Sequence, residues 1–262
     1  MMKPDTRAHQ VSYQGSKVEL TVEERGDGRP FLLLHGGAGP ASMARFAGLL
    51  AARGHVRVLT PIHPGFAKTP RPNSLHDVRG LAMLYAAFLG QLGKRDVTVI
   101  GNSIGGWIAA ELAILAPPQV CCAVMVSAAG IEVPGQQVTD VSMLALDQVM
   151  SLSYYNPAPF LIDPTKLTDE QRAIAGSNRA ALQVYAPQMT DASLKARLAT
   201  VKMPVLVISG EADRVVPPAY GRAFAAAIPG AKFELLARTG HVPQVETPDV
   251  LLEAVAKFVS LN

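Results

Sequence analysis

Short runs of β-branched and other apolar residues recur along the chain: VSYQ (11–14), VELTVE (18–23), FLLL (31–34), VRVLT (56–60), VTVIG (97–101), VCCAVMVS (120–127), VLVISG (205–210) and KFELLA (232–237). They predict eight strands. The first two alternate apolar with polar positions around Gln14-Gly15, the pattern of an antiparallel hairpin with one wet face. Most later runs are almost continuously apolar, as strands covered on both faces are. Between them, helical periodicity predicts helices over Met43–Arg53, Ser74–Leu92, Ile104–Leu115, Pro218–Ile228 and Pro248–Val259. Strand and helix therefore alternate, which predicts an α/β fold: a mostly parallel sheet of eight strands covered by helices.

One segment breaks that rhythm. From 130 to 200 no run reads as a strand, and Met143, Met150, Tyr154, Tyr155, Phe160 and Met189 are spread among polar helix formers. The segment is expected to be a helical cap inserted after strand 6, packed over a core made of residues 1–129 and 201–262. An insertion at that point leaves the sheet at its carboxyl edge, so it is expected to enclose a mainly apolar pocket there.

A chain of 262 residues, 49% hydrophobic and 17% charged, can bury a large core as one domain with an inserted subdomain. Its formal charge is +3, but the cations are scattered singly among acids, which argues against nucleic acid as a partner. No apolar run approaches the roughly 18 residues of a membrane span, and MMKPDTRAHQ has no apolar segment of the kind a secretory leader needs. A cytoplasmic protein with a small-molecule substrate and no membrane partner is the expectation, with a homo-oligomer left open. Neither metal nor other cofactor is expected. The two cysteines, Cys121 and Cys122, are neighbours in an apolar run and as strand residues should point to opposite faces, as packing groups.

The stretch VIGNSIGGW (99–107) places Ser103 where a strand gives way to a helix, with Gly101 and Gly105 two positions to either side. Removing Cβ atoms there permits a sharp turn, and the spacing suits a nucleophile held in a strained elbow. A serine hydroxyl needs a base. Of the six histidines, His9, His35, His55, His63, His76 and His241, only His241 lies in the loop after the last strand, which opens at the same carboxyl edge as Ser103. A base in turn needs an orienting acid. Asp213, after the preceding strand, is favoured, and Glu132, after the sixth, is the alternative. The catalytic candidates are thus Ser103, Asp213 and His241, and base catalysis requires hydrogen-bond contact along that series. Residues beside the elbow or in the insertion, namely Ala38, Trp107, Tyr154, Phe160 and Val242, are candidates to line the substrate pocket.

The elbow GNSIGG, the order nucleophile, acid, histidine, the HGG turn after the third strand and the GH turn before the final helix together resemble the α/β-hydrolases over nearly the whole chain. The resemblance implies the α/β-hydrolase fold and oxyanion donors at the amide of Ile104 and in the turn His35–Gly39, at Gly37 or else Ala38. HPGFAKTP (63–70) resembles the loop after the fourth strand of that family, which often carries Gly where this chain has Ala67. His35 and His63 are expected to support turns. The implied function is a serine carboxylesterase acting on a small or medium, largely apolar ester. GNSIGG and HGGAGP also resemble the hydrolases that cleave carbon–carbon bonds of vinylogous diketones, although Val242 stands where those enzymes usually carry tryptophan. Arg172 or Arg179 would supply the carboxylate anchor such a substrate needs. Serine at the elbow excludes the aspartate chemistry of haloalkane dehalogenases and epoxide hydrolases. Cofactor-free haloperoxidases, hydroxynitrile lyases and a non-catalytic ligand-binding protein of the same fold stay open.

Overall fold

The computed structural model describes residues 3–141 and 144–261, so Met143 of the insertion lies outside the described residues. Eight strands, β1 (Asp5–Tyr13), β2 (Ser16–Arg25), β3 (Arg29–Leu34), β4 (Val56–Pro61), β5 (Val97–Asn102), β6 (Val120–Val126), β7 (Val205–Gly210) and β8 (Lys232–Leu236), form one sheet in the order β1-β2-β4-β3-β5-β6-β7-β8. β1 and β2 are antiparallel, β2 is antiparallel to β4, and every later pairing is parallel. All eight expected strands are present. β1 begins at Asp5, six residues before the expected VSYQ, because the polar stretch DTRAHQ pairs along β2 at the exposed edge of the sheet, where backbone pairing needs no apolar pattern.

The helices are α1 (Ala44–Ala51), α2 (Val78–Leu92), α3 (Ile104–Leu115), α4 (Leu146–Ser153), α5 (Asp169–Tyr185), α6 (Leu194–Leu198), α7 (Pro218–Ala226), α8 (Pro243–Glu246) and α9 (Pro248–Val259). One face of the sheet packs on α2, α3 and α7 through Leu84, Tyr85, Phe88, Ile108, Leu112, Tyr220 and Phe224. The other packs on α1 and α9 through Phe46, Leu50, Leu251 and Val255. Two hydrophobic cores thus sandwich the central strands, which explains why those strands read as unbroken apolar runs. α2 starts four residues later than its periodicity suggests, because Asp77 caps it by accepting the Gly80 amide. No helix among the described residues is long and apolar enough to cross a membrane.

The cysteines depart from expectation. The pairing of β5 with β6 shifts register after Val97, which partners Val120, to Thr98, which partners Cys122, leaving Cys121 as an extra residue. A bulge of this kind breaks the two-residue alternation. The two Sγ atoms lie 3.7 Å apart instead of on opposite faces. Burial pushes the Cys122 thiol up to about 11.

Between β6 and β7 the chain forms α4, α5 and α6 and no strand of the sheet among the described residues. It is tied to the sheet side at several points. Arg197 of α6 makes a two-pronged contact with Glu111, buried on α3, at 2.5 and 2.7 Å, and also holds Asp191. Such paired geometry satisfies a buried carboxylate that would otherwise be costly. α5 lies on the short turn Phe66–Lys68, where Ser177 Oγ accepts the Lys68 amide and Asn178 Oδ1 accepts that of Ala67.

Ala67 sits at φ 48°, ψ 36°. The left-handed region costs a residue with a Cβ on the order of 1 kcal/mol. Ala67→Gly is therefore expected to raise stability by about 1 kcal/mol in urea denaturation; a destabilised variant would show that the alanine methyl contributes more by packing than it costs in backbone strain.

Candidate active site

β5 ends at Asn102, α3 begins at Ile104, and Ser103 between them adopts φ 57°, ψ −119°. The turn is this tight because α3 lies almost on the strand. A Cβ on Gly101 would come 2.0 Å from the Gly105 carbonyl oxygen, and one on Gly105 would come 2.2 Å from that of Leu34. Only hydrogen fits at either position, so the two glycines that flank the serine in sequence are required by close approach. The first ten residues of α3 are buried, which anchors the elbow in the core.

His241 follows β8, and its loop touches the loop after β7, since a Cβ on Gly210 would lie 2.2 Å from the Gly240 carbonyl oxygen. Its backbone is held on both sides. The His241 amide donates to the Ser153 carbonyl at 2.7 Å, and its carbonyl accepts Asn102 Nδ2 at 2.9 Å. Gln244 Nε2 donates to Asn102 Oδ1 at 3.0 Å, fixing that side chain's orientation. The residue before the serine thus carries the histidine loop. Asp213, wholly enclosed in its side chain, accepts the Val215 and Val216 amides on Oδ1 at 2.9 and 2.8 Å and presents Oδ2 to His241 Nδ1 at 3.0 Å. Asp213 therefore builds its own turn and orients the imidazole, while Glu132 is exposed. The remaining contact differs from expectation: among the described residues Ser103 Oγ makes no hydrogen bond to His241.

The turn after β3 is organised from beneath by two buried, stacked imidazoles, His35 and His63, with ring centroids 3.7 Å apart. The His63 amide donates to His35 Nε2 at 3.1 Å, so the His35 proton is on Nδ1, which donates to the Gly36 carbonyl at 2.8 Å. His63 Nε2 donates to the His35 carbonyl at 3.0 Å, and its Nδ1 accepts the Tyr85 hydroxyl. Each ring is thus a neutral tautomer of opposite kind. The Gly36 carbonyl also accepts the Gly39 amide at 3.1 Å. Because a trans peptide points its N–H opposite its C=O, the Gly37 amide is turned away from the imidazoles. Gly36 sits against the elbow, where a Cβ would come 3.2 Å from Ser103 Cβ. Among the described residues neither the Gly37 nor the Ile104 amide donates a hydrogen bond within the chain.

The other candidates are dispersed. Val242 is buried beside His241, at the start of α8. Tyr154 and Phe160 stack at 4.5 Å, and Tyr154 adjoins the histidine loop, its Cα 2.7 Å from where a Gly240 Cβ would be. Ala38 is exposed, its carbonyl taken by Asn178. Trp107 points into the core, its ring against Gly130 and its Nε1 buried without a hydrogen-bond partner. It lines a cavity of about 330 Å³ together with Asp77, Arg79, Glu111, Asp191 and Arg197. That cavity is lined by polar and apolar groups alike and touches none of Ser103, Asp213 or His241, so it is not the apolar chamber expected over the serine. Arg172 is held by Asp169 and the Leu167 carbonyl at the exposed start of α5, and Arg179 is exposed. No group of three or more His, Cys, Asp or Glu side chains among the described residues could hold a metal ion. Sequence reasoning missed Asn178, Tyr85 and Gln244. Asn102 was detectable as a polar residue closing an apolar strand; Asn178 is a lone amide in a helix and carries no such mark.

Burial lowers His35 to about 4 and takes His63 well below the usual histidine value, the neighbouring imidazole adding to the effect. In the unfolded chain both would protonate near the ordinary value of about 6.5. Below that pH the unfolded state takes up protons that the folded state does not, so stability falls as pH drops from about 6.5 towards 4, and neither group contributes above that window. The expected loss is up to about 1.4 kcal/mol per pH unit per histidine. Imidazole nitrogen NMR should find His35 as the Nδ1–H and His63 as the Nε2–H tautomer throughout pH 5.5–8; titration of either ring near pH 6.5 would contradict the assignment.

The model of the alpha/beta hydrolase family matches residues 31–254. The 2-hydroxymuconate semialdehyde hydrolase of Pseudomonas putida is 27% identical over 256 residues, covering 91% of this chain and 90% of that protein. Among solved structures, the bromoperoxidase from Bacillus anthracis superposes with a TM-score of 0.80 at 20% identity, covering 97% of this chain and all of that one. A thermophilic esterase from Thermogutta terrifontis superposes at 0.75 and 20% identity over 98% of each chain. At such identities the structural matches speak for the fold alone, while the family match spans most of the sequence and includes the elbow, both carboxyl-edge loops and the histidine. The chain belongs to the alpha/beta hydrolase family.

Proposed function

We propose that the chain is a serine hydrolase that cleaves carboxylic esters of small or medium size and largely apolar character through an acyl-enzyme on Ser103. The observation that carries this reading is the His241–Asp213 pair, its loop held by Asn102, beside the elbow that keeps Ser103 in a strained conformation against the turn at Gly36. In this reading the serine side chain rotates onto His241 Nε2 as substrate displaces water. The imidazole takes its proton while Oγ attacks the ester carbonyl. Asp213 keeps the second imidazole proton on Nδ1 and stabilises the imidazolium. The amides of Gly37 and Ile104 receive the developing oxyanion, and being backbone groups in a fixed turn they need little reorganisation. The proton then passes to the leaving alcohol, and water repeats the sequence to release the acid.

The segment 130–200 acts as the cap in this reading. Two contacts support that role: Leu182 of α5 lies over Gly37, where a Cβ would come 3.1 Å from its methyl carbon, and the Ser153 carbonyl of α4 holds the His241 amide. The apolar side chain above Gly37 suits an acyl group of modest polarity. A second reading, hydrolysis of a carbon–carbon bond in a vinylogous diketone, is favoured by the Pseudomonas putida relative that matches along most of both chains. Val242 in place of tryptophan, and Arg172 tied to its own helix end, weigh against it.

A panel of p-nitrophenyl esters of graded acyl length, run beside a vinylogous diketone, separates the readings. Ester turnover is expected to exceed diketone turnover, and Ser103→Ala should lower it by about 10⁴-fold or more. Reaction of a fluorophosphonate probe with the wild type should likewise require Ser103. Faster diketone cleavage would favour the second reading, and no reaction with either substrate or probe would leave a ligand-binding protein. Ser103→Gly is expected to be more stable than wild type by roughly 1–3 kcal/mol, because glycine adopts the elbow conformation without strain.

A further inference from the structure

The turn Gly36–Gly39 is held from the core side by His35. On its outer side it is held by the insertion, through Asn178. Asn178 is 5% exposed on α5, and its amide spans two loops of the sheet domain: Oδ1 accepts the Ala67 amide at 2.8 Å and Nδ2 donates to the Ala38 carbonyl at 3.2 Å. A backbone N–H can only donate, so the contact with Ala67 fixes which end of the side chain is oxygen and leaves the NH₂ for Ala38. Gly39 is at φ 88°, and a Cβ there would fall 2.4 Å from Asn178 Nδ2, so the turn is shaped to receive this side chain.

Peptide planarity carries the contact further. The Ala38 carbonyl and the Gly39 N–H belong to one trans peptide and point in opposite directions. Asn178 takes the carbonyl, and the N–H closes the turn on the Gly36 carbonyl at 3.1 Å. The Gly36 carbonyl belongs to the peptide whose opposite end is the Gly37 N–H. Two rigid planes therefore connect the Asn178 side chain to the amide assigned to the oxyanion. Release of Nδ2 frees the first plane to rotate, removes one of the two donors on Gly36, and loosens the second plane.

We propose that Asn178 is a positioning residue for the Gly37 amide, so that docking of the insertion helix α5 is a condition for oxyanion stabilisation as well as a source of substrate selectivity. The inference rests on the esterase reading above. It gives the insertion a rate-determining role that a lid contributing only apolar walls would lack: substrates that hold α5 down accelerate the chemical step, and a loosened helix lowers turnover even for an ester too small to touch it.

The test is Asn178→Asp, which keeps an oxygen for the Ala67 amide and nearly the same volume but sets a second oxygen against the Ala38 carbonyl. With p-nitrophenyl acetate, kcat is expected to fall 10–100-fold with KM within about threefold, the loss being smaller than the 10²–10³-fold typical of deleting a donor outright. Fluorophosphonate labelling should slow in proportion, since its phosphoryl oxygen uses the same amides. Ser177→Ala, which removes the neighbouring contact to Lys68 and leaves the turn alone, should keep kcat and provides the control for loss of insertion contacts. Asn178→Ala supplies a second variant if the aspartate folds poorly, and amide NMR shifts of Gly37 and Gly39 should move in both Asn178 variants but not in Ser177→Ala. Unchanged kcat in a folded Asn178 variant, or equal losses in Ser177→Ala, would overturn the proposal. Undiminished labelling of Ser103→Ala would instead overturn the esterase reading beneath it.

Discussion

Helix α3 approaches the sheet so closely that its first turn and the end of β5 leave no room for a carbon atom at Gly101 or Gly105. That contact forces the chain to reverse within one residue, and the residue that absorbs the reversal is Ser103, at a positive φ that costs a side chain on the order of 1–3 kcal/mol. The strain is borne by the two apolar cores, which bury α3 on one side and the α1/α9 face on the other. Everything else at the carboxyl edge is referenced to this turn. Asn102, the last residue of β5, carries the His241 carbonyl, and Gly36 packs against Ser103 Cβ.

The second layer of organisation is polar and buried. His35, His63 and Tyr85 form a chain of neutral donors and acceptors beneath the turn after β3, and desolvation keeps both imidazoles uncharged. Uncharged rings can stack at 3.7 Å without repulsion, and their fixed tautomers orient the first two peptides of the turn through the His35 and Gly36 carbonyls. Asp213 is built on the same plan: two backbone amides occupy one carboxylate oxygen, leaving the other to the imidazole of His241. In both cases side chains set backbone geometry before any substrate arrives, which is what preorganised electrostatics requires.

How much of this could be read in advance followed from physical range. The strands of the central sheet were readable because burial on both faces demands unbroken apolar runs, and the elbow because steric exclusion leaves a glycine signature at fixed spacing. Asp213 and His241 were placed by loop order alone, since a parallel sheet brings every βα loop to one edge. Contacts that depend on side-chain orientation were not readable. The bulge that brings Cys121 beside Cys122 has no compositional mark, the place of Trp107 between the core and a charged cavity depends on helices distant in sequence, and Asn178 resembles any amide on a helix.

The central claim is that the backbone at the elbow and at the turn after β3 forms one receptor for a negatively charged oxygen on an atom bonded to Ser103. A crystal structure of a phosphonate adduct tests it most directly. The account predicts phosphorus bonded to Ser103 Oγ, one phosphoryl oxygen within about 3 Å of the amide nitrogens of both Gly37 and Ile104, and His241 Nε2 facing the remaining oxygens. An adduct on another residue, or a phosphoryl oxygen turned to solvent with both amides unengaged, would contradict it.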